Sequence, residues 1–421
     1  MSTGPSPARR PARSSGKRAG DRSAARQASL RVHNLTLVLR YILEATSPPS
    51  RADIATATGL TRATVSVLVD RLLRAELIRE LEPLTPQRAG RPAIPLAPAS
   101  GTIAAIGIEV NVDYLGVCAL DLAGEQVSER MVTGDFRNSD PRLVLARVAA
   151  LAAEVVTDLQ NDGIRVVGAC LALPGLVDSR SGPLRHAPNL GWRDLDVGLM
   201  LREHAVFRGL PVRLANEANL AARAEATADG ETDTFLYVSG DIGIGAAIVL
   251  NGEVYHGGHG WSGEIGHTVV DPRGPRCSCG STGCLERFAG KDALMLGAGL
   301  STDEPIGVLL DAAERGDERA LRSIADAGQA LGVAIANFVN LVDVDHIVLG
   351  GLYAPLEPYL FHAVSEQLRA RVLSAPWASV TLRAATVGAR AAMVGGAQAI
   401  LRRLIADPAS WVERGQTRAD T

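Results

Sequence analysis

Gly263–Glu286 reads G-E-I-G-H-T-V-V-D-P-R-G-P-R-C-S-C-G-S-T-G-C-L-E. Three of the chain's five cysteines, Cys277, Cys279 and Cys284, fall within eight residues, and His267 stands ten positions before the first. Pro272, Gly274, Pro275, Gly280 and Gly283 let the backbone turn tightly between them. Three thiolates and an imidazole make a tetrahedral zinc set, in which each deprotonated sulfur offsets part of the ion's charge. The plain alternative is a loop of reduced cysteines beside an unrelated histidine, but a chain so poor in cysteine gives little reason for three to cluster. Taken alone, the same set also suits a zinc finger facing nucleic acid. Glu264 and Glu286 bracket the cluster, so a metal there would fix polar groups around something small.

The chain of 421 residues is long enough for two or three domains, each with its own core. It is rich in Ala, Leu, Val and Gly and poor in aromatics, as soluble globular proteins are. No uninterrupted apolar run approaches the roughly 18–20 residues of a membrane span. The basic N-terminus has no apolar stretch behind it, which excludes a secretory signal. Cys118 and Cys170 sit in apolar, strand-like runs and read as buried thiols; together these features point to the cytoplasm, with no membrane partner. The net charge of −3 conceals an asymmetry, because residues 1–98 carry 16 Lys and Arg against 7 Asp and Glu. That surplus of nine leaves −12 on the remainder, so the front of the chain suits a polyanion and the body does not.

Residues 1–28, dominated by Ser, Pro, Ala, Gly and Arg, read as a disordered basic tail, either attracted to phosphates or an inert leader. A winged helix–turn–helix with its linker is expected over 29–98. Leu30, Leu35, Val38, Leu39, Ile42 and Leu43 recur at helical spacing up to Ser47-Pro48-Pro49. Ser50 caps a short helix, Gly59 supplies the turn, and Thr61 caps a second helix with Val65, Leu68, Val69 and Leu72 on its apolar face. The start of that helix would enter a major groove, and Thr61, Arg62, Thr64 and Ser66 are types suited to base edges and phosphates. Leu77–Leu81 and Ile94–Leu96 read as a hairpin whose loop carries Arg88 and Arg91, the tip of a wing. A three-helix protein-interaction module is the alternative.

Beyond the proline-rich linker, strands are expected at 102–108, 114–120 and 126–132. A helix follows from Asp140-Pro141 to about Gln160, then strands at 166–173 and 211–214 and a helix over 216–228. Strands at 235–239 and 245–250 precede the cysteine loop. A long helix over 320–342 leads to a strand at 346–349. Strands alternating with helices make the class α/β, in two lobes with a cleft between them.

These residues resemble the ROK family, which groups sugar-responsive repressors with sugar kinases. The resemblance runs from about Leu30 to Leu404. Its most specific part is E-x-x-H at Glu264 and His267 followed by C-x-C-G-x-x-G-C-L-E from Cys277 to Glu286. It implies an actin-like, ribonuclease-H-like two-lobed domain over 99–405, a short C-terminal tail over 406–421, and, with the winged helix, the family's repressor branch. It also implies a structural Zn²⁺ on His267, Cys277, Cys279 and Cys284, and sugar hydroxyls held by Glu264, His267 and Glu286. Asn216-Glu217-Ala218-Asn219 stands where the family's kinases carry N-D-A-N, so Asn216 and Glu217 join the sugar set. The extra methylene of Glu217 moves the carboxylate by roughly an ångström, which costs a catalytic base about a hundredfold. Asn189, in A-P-N-L-G-W, resembles a sugar-side loop; the alternative is a turn residue.

The family's kinases open their first hairpin with D-x-G-G-T, which approaches ATP. This chain has Gly107-Ile108-Glu109-Val110-Asn111-Val112-Asp113-Tyr114, with neither glycine nor threonine, and with Val112 and Asp113 where small residues are needed. In Gly240-Asp241-Ile242-Gly243-Ile244-Gly245 the glycines read as serving a tight strand connection. The expected protein is therefore a sugar-responsive DNA-binding regulator with no catalytic residue, acting on operator DNA as a homodimer or tetramer. The alternative is an ATP-dependent sugar kinase with an added DNA-binding head.

Overall fold

A computed structural model describes residues 16–83, 93–178, 183–230 and 234–412. The chain divides into two compact units, Met1–Ala99 together with Arg403–Thr421, and Ser100–Arg402.

The first unit begins with the helix Gly16–Glu44, which buries Leu35, Val38, Leu39 and Ile42. Residues 16–28, expected as disordered tail, continue this helix. They are rich in Ala and Arg, and each residue added to a helix already nucleated gains one backbone bond. Leu30, expected on the apolar face, is 59% exposed. Helix Arg51–Thr58 starts in a capping box. The Ser50 side chain accepts from the Asp53 N–H, and the Asp53 carboxylate accepts from the Ser50 N–H at 2.9 Å. Gly59 takes φ 72°, and Thr61 then caps Arg62–Arg74, which buries Val65, Leu68, Val69 and Leu72. Strands Ile78–Glu80 and Leu96–Pro98 pair antiparallel. The second lies later than expected because Pro95, which has no N–H for the ladder, instead bridges Ser50. Arg88 and Arg91 lie outside the described residues. The described part of the stretch expected as a C-terminal tail, residues 406–412, packs into this unit: Ala409 and Val412 are buried, and Thr36 Oγ1 donates to the Ala406 carbonyl at 3.3 Å.

The second unit holds two lobes of one topology. In the first, Ile103–Val110, Tyr114–Asp121 and Gln126–Thr133 run antiparallel, and Arg165–Leu173 and Val212–Asn216 add in parallel on the other side. In the second, Phe235–Gly240, Ile244–Leu250 and Glu253–Tyr255 are antiparallel, and His346–Gly351 and Thr381–Ala384 are parallel. Each sheet therefore orders its strands third, second, first, fourth, fifth. Ile103–Val110 is buried at every position, as a central strand covered on both faces must be. Helix Pro141–Asn161, capped by Asp140, lays Val144, Val148, Ala152 and Val155 on the first sheet's core. A three-stranded ribbon, Leu176–Val177, Leu184–Ala187 and Trp192–Leu195, was not expected from sequence, because its strands are short and carry Arg and His.

Helices Glu318–Val342 and Tyr353–Arg371 pack on the second lobe. A Cβ at Gly328 would lie 2.9 Å from Ala363 Cβ and one at Gly332 2.7 Å from Gln367 Cβ, so both glycines set the helix spacing. Helix Glu318–Val342 is long and apolar enough to cross a membrane by length and composition. Its apolar residues, including Ile324, Leu331 and Ile335, form the lobe's core instead.

Helix Glu217–Asp229 is tied to the segment after Thr381–Ala384 by Glu225, whose side chain is fully buried. Its carboxylate accepts from Arg383 Nη1 at 2.7 Å, from Thr386 Oγ1 and the Thr386 N–H at 3.0 Å, and from the Val387 N–H at 3.2 Å. Removing one member of a buried, hydrogen-bonded charge pair costs about 3–5 kcal/mol. Glu225→Ala should lose up to about that much stability in urea unfolding followed by tryptophan fluorescence, because it removes the shared acceptor of Arg383, the Thr386 hydroxyl and two backbone N–H groups.

Candidate ligand and metal site

The second unit contains a cavity of about 380 Å³, lined by both lobes and by the ribbon. The first lobe contributes Asn216 and Glu217, the ribbon segment contributes Asn189, and the second lobe contributes Glu264, His267 and Glu286. Every residue expected to hold a ligand thus meets at one cavity.

Glu264 and His267 are placed by the glycines between them. Gly263 has φ 101°, and a Cβ there would lie 1.9 Å from the Ala246 carbonyl oxygen. A Cβ at Gly266 would lie 2.3 Å from the Ile244 carbonyl oxygen. The loop thus lies backbone against backbone on strand Ile244–Leu250, fastened by the Ala246 N–H donating to Gly263 O at 2.9 Å. Glu286 opens helix Glu286–Ala289. A Cβ at Gly243 would meet Glu286 Oε2 at 2.8 Å and Asn189 Nδ2 at 2.9 Å. A carboxylate and an amide thus converge over Gly243 from opposite lobes. Asn216 also holds its own neighbourhood in place. Its Oδ1 caps helix Glu217–Asp229 at the Asn219 N–H, 3.2 Å away, and its Nδ2 donates to Gly175 O at 3.1 Å.

Beside this cavity His267, Cys277, Cys279 and Cys284 place one ligand atom each within 4.8 Å of the others, a set that could hold a metal ion. Sulfurs at zinc's bond length of about 2.3 Å stand about 3.8 Å apart at the corners of a tetrahedron. Cys279 Sγ and Cys284 Sγ are 3.6 Å apart, and Cys277 Sγ is 3.8 Å from His267 Nδ1. A Cβ at Gly283 would fall 1.6 Å from Asp271 O, so the loop closes on itself only with glycine there. Because Nδ1 faces the sulfurs, Nε2 of His267 is left for the ligand cavity.

The first hairpin turn is closed by its own Asn111. Asn111 Oδ1 accepts from the Val112 N–H at 2.6 Å and the Asp113 N–H at 3.3 Å, so these donors are already engaged. Asn111 Nδ2 donates to Asp241 Oδ2 at 2.9 Å, and Lys291 Nζ stands 3.3 Å from Asp113 Oδ2. A second cavity of about 350 Å³ adjoins, with Glu109, Glu217 and Asp241 in its wall. Burial raises the pKa of all three, helped at Glu109 by the charge of Asp241 and at Glu217 by those of Glu109, Asp241 and Glu264. Burial likewise raises Glu264 and Glu286, opposed in both by His267.

Sequence reading did not single out Glu109, Asn111 or Asp241 as a contact between lobes, nor His186 and Arg193 of the ribbon as cavity residues. Nothing in local pattern marks them, because the partners are far apart in sequence. In the first unit, Thr61 Oγ1 accepts from the Thr64 N–H at 3.2 Å and lies 2.9 Å from Thr64 Oγ1, and Ser66 Oγ donates back to Arg62 O at 2.9 Å. Arg62 and Ala63 are exposed beside them, and so is Val67, at 60%, which was not anticipated.

Glu109 has a native pKa of about 7 against an ordinary 4.5, so the folded chain holds the extra proton between those values. Stability therefore falls as pH rises from about 4.5 through about 7. Glu109→Gln should flatten that slope and gain on the order of 1–3 kcal/mol at pH 8. Urea unfolding at several pH values between 5 and 8.5 measures it.

Residues 105–403 match the ROK family. The xylose repressor of Bacillus subtilis (strain 168) is 28% identical over 376 residues, 88% of this chain and 95% of that protein. A glucokinase of Halalkalibacterium halodurans is 30% identical over 311 residues, only 69% of this chain but 93% of the kinase. The solved structure of a ROK family transcriptional regulator, a homologue of the E. coli MLC protein, superposes with a TM-score of 0.75 at 28% identity, covering 91% of this chain and 99% of that one. Repressor and regulator match the chain nearly end to end, whereas the kinase matches about the extent of the two-lobed unit; this chain belongs to the ROK family.

Proposed function

We propose that the protein is a sugar-responsive, DNA-binding transcriptional repressor whose two-lobed unit senses and does not phosphorylate. The single observation that carries this reading is the coexistence of an assembled hydroxyl-binding set with a turn at Asn111–Asp113 whose N–H groups are already taken. Carboxylates at Glu264 and Glu286 accept hydrogen bonds from vicinal hydroxyls, and a site built on them rejects ligands that lack those groups. The N–H groups of a phosphate-cradling turn must point at the phosphate; here they serve Asn111.

The first unit reads operator DNA. Arg62, Thr64 and Ser66, with Thr61 at the cap, lie at the start of the exposed helix, where a major groove is entered. Val67 offers an apolar contact of the kind that meets a thymine methyl. Arg88 and Arg91 supply the wing. The metal on His267, Cys277, Cys279 and Cys284 is Zn²⁺, with a structural role: it neutralises the thiolates and fixes the imidazole so that its other edge faces the sugar. Leu341, Leu373 and Trp377 are each more than four-fifths exposed. The segments carrying Leu341 and Leu373 are held together by Asn340, which bonds Arg371 O and the Leu373 N–H. An apolar patch of this kind supports a homo-oligomer, which a palindromic operator requires. Operator DNA and soluble sugar place the protein in the cytoplasm.

Gel shifts with the DNA upstream of the protein's own gene test the reading. Binding should weaken steeply between 50 and 200 mM salt, and one sugar should release the operator. Glu264→Ala should lose that response by at least about tenfold in sugar concentration, with DNA binding and melting midpoint measured alongside to detect misfolding. ATP-dependent sugar turnover in the range of roughly 1–1000 per second would overturn the reading in favour of a kinase. Metal analysis should find about one zinc per chain, lost in Cys279→Ser; a wild-type protein purified under reducing conditions without zinc would refute the assignment.

A further inference from the structure

Helix Arg62–Arg74 carries aliphatic side chains on two sides. Val65, Leu68, Val69 and Leu72 are at most 5% exposed and hold the helix in the core of the first unit. Val67 is 60% exposed, and Ala63, four residues earlier on the same face, is exposed as well. Among the described residues of this unit, Leu30 is the one other large apolar side chain that stands out so far.

The polar side chains around this stripe are engaged within the chain. Ser66 Oγ donates its one proton to Arg62 O at 2.9 Å, four residues back, and the Thr61 and Thr64 hydroxyls lie 2.9 Å apart. Asp70 Oδ1 accepts from Arg51 Nη2 at 3.0 Å, and Arg51 Nη1 donates to Glu80 Oε1 at 2.7 Å, so the helix's one carboxylate is paired. Arg62 precedes the two apolar residues and Arg71 continues their spacing, in a unit with a surplus of basic residues. Cations at both ends of an apolar pair suit a groove walled by phosphates. In a major groove the apolar group on a base edge is the C5-methyl of thymine. Val67 is β-branched and holds one strongly preferred rotamer in a helix, so little side-chain freedom is lost on contact.

We infer that Ala63 and Val67 select the operator by thymine methyl groups, while Thr64 and Ser66 serve the helix itself. The inference rests on the DNA-binding reading and adds how the sequence is chosen. Four residues at about 1.5 Å each separate Ala63 and Val67 by about 6 Å along the helix. With bases about 3.4 Å apart along a strand, the two thymines lie within about two base steps of each other in each half-site.

Uracil-containing DNA tests this, because deoxyuridine differs from thymidine only in lacking that methyl. The DNA upstream of the protein's own gene, amplified once with dTTP and once with dUTP, is titrated with the full-length protein in gel shifts at one salt concentration. Each buried methyl contributes about fourfold, so the uracil form should bind at least about tenfold more weakly. An unrelated duplex of the same length should show no difference between its two forms. Val67→Ala should weaken binding to the thymine DNA and shrink the thymine-to-uracil ratio by about fourfold, yet change binding to the uracil DNA by less than about twofold. Val67→Thr, which keeps one methyl, should fall between. Alanine is the better helix former at an exposed position, so the melting midpoint should not drop. Equal binding of the two DNAs, or a thymine preference unchanged in Val67→Ala, would overturn the inference and leave DNA binding standing. Failure to bind either DNA would overturn both.

Discussion

The site depends on one contact, the backbone of Gly263–His267 laid directly on strand Ile244–Leu250. Any side chain at Gly263 or Gly266 would occupy the space of a carbonyl oxygen in that strand, so the loop could not seat. Seating it does three things together. It aims Glu264 into the cavity, turns His267 Nδ1 toward Cys277, and brings Thr268 to accept the Leu285 N–H at 2.9 Å, which positions the start of the Glu286 helix. The cysteine–histidine cluster and the cavity carboxylates are thus not separate features. One strand surface orders both.

A second constraint governs the opposite wall. The turn Asn111–Asp113 joins the first lobe to the second through Asn111–Asp241 and Asp113–Lys291. Asn111 can do this because its Oδ1 takes the two N–H groups of its own turn while its Nδ2 reaches across. The glycine and threonine of a phosphate loop would supply neither. The clamp leaves Glu109 buried with one oxygen unpartnered, and burial, helped by the charges of Glu109 and Asp241, raises the pKa of Glu217. Several acids in one low-dielectric wall favour their protonated forms.

Much of this could be read from the residues. The spacing of Cys277, Cys279 and Cys284 and the upstream His267 announced a compact ligand set because tight loops have local signatures. Ser50, Gly59 and Thr61 marked the helix–turn–helix because caps and left-handed turns are local too. The strands of the first sheet and three of the second were legible from their apolar runs, but the short Glu253–Tyr255 and Thr381–Ala384, which carry charged residues, were not. Less visible was whatever depends on distant partners. The ribbon has strands of two to four residues in which Arg and His alternate with buried residues, and no periodicity survives at that length. The helical course of residues 16–28 is hidden from composition, which takes no account of the helix that continues it. Nothing local to Gly240–Gly245 marks a partner for Asp241; only the fold shows Asn111, 130 residues away, donating to it.

The leverage proposed for a ligand follows from which lobes line the cavity. Asn189, Asn216, His186 and Arg193 belong to the first lobe and its ribbon, and Glu264, His267 and Glu286 belong to the second. A molecule touching one lobe alone would bind every arrangement of the two equally well, and equal affinity shifts no equilibrium. Asn189 and Glu286, brought together over Gly243, show how closely the lobes approach at this point. A ligand gripping both carboxylates and the ribbon therefore adds its binding energy to the one lobe spacing that satisfies both ends. The Asn111–Asp241 and Asp113–Lys291 contacts span the same two lobes, so they set the spacing from which the ligand works. Loosening them would change the ligand's apparent affinity without touching a group that binds it, because any spacing unable to close on the ligand lowers the fraction of competent molecules.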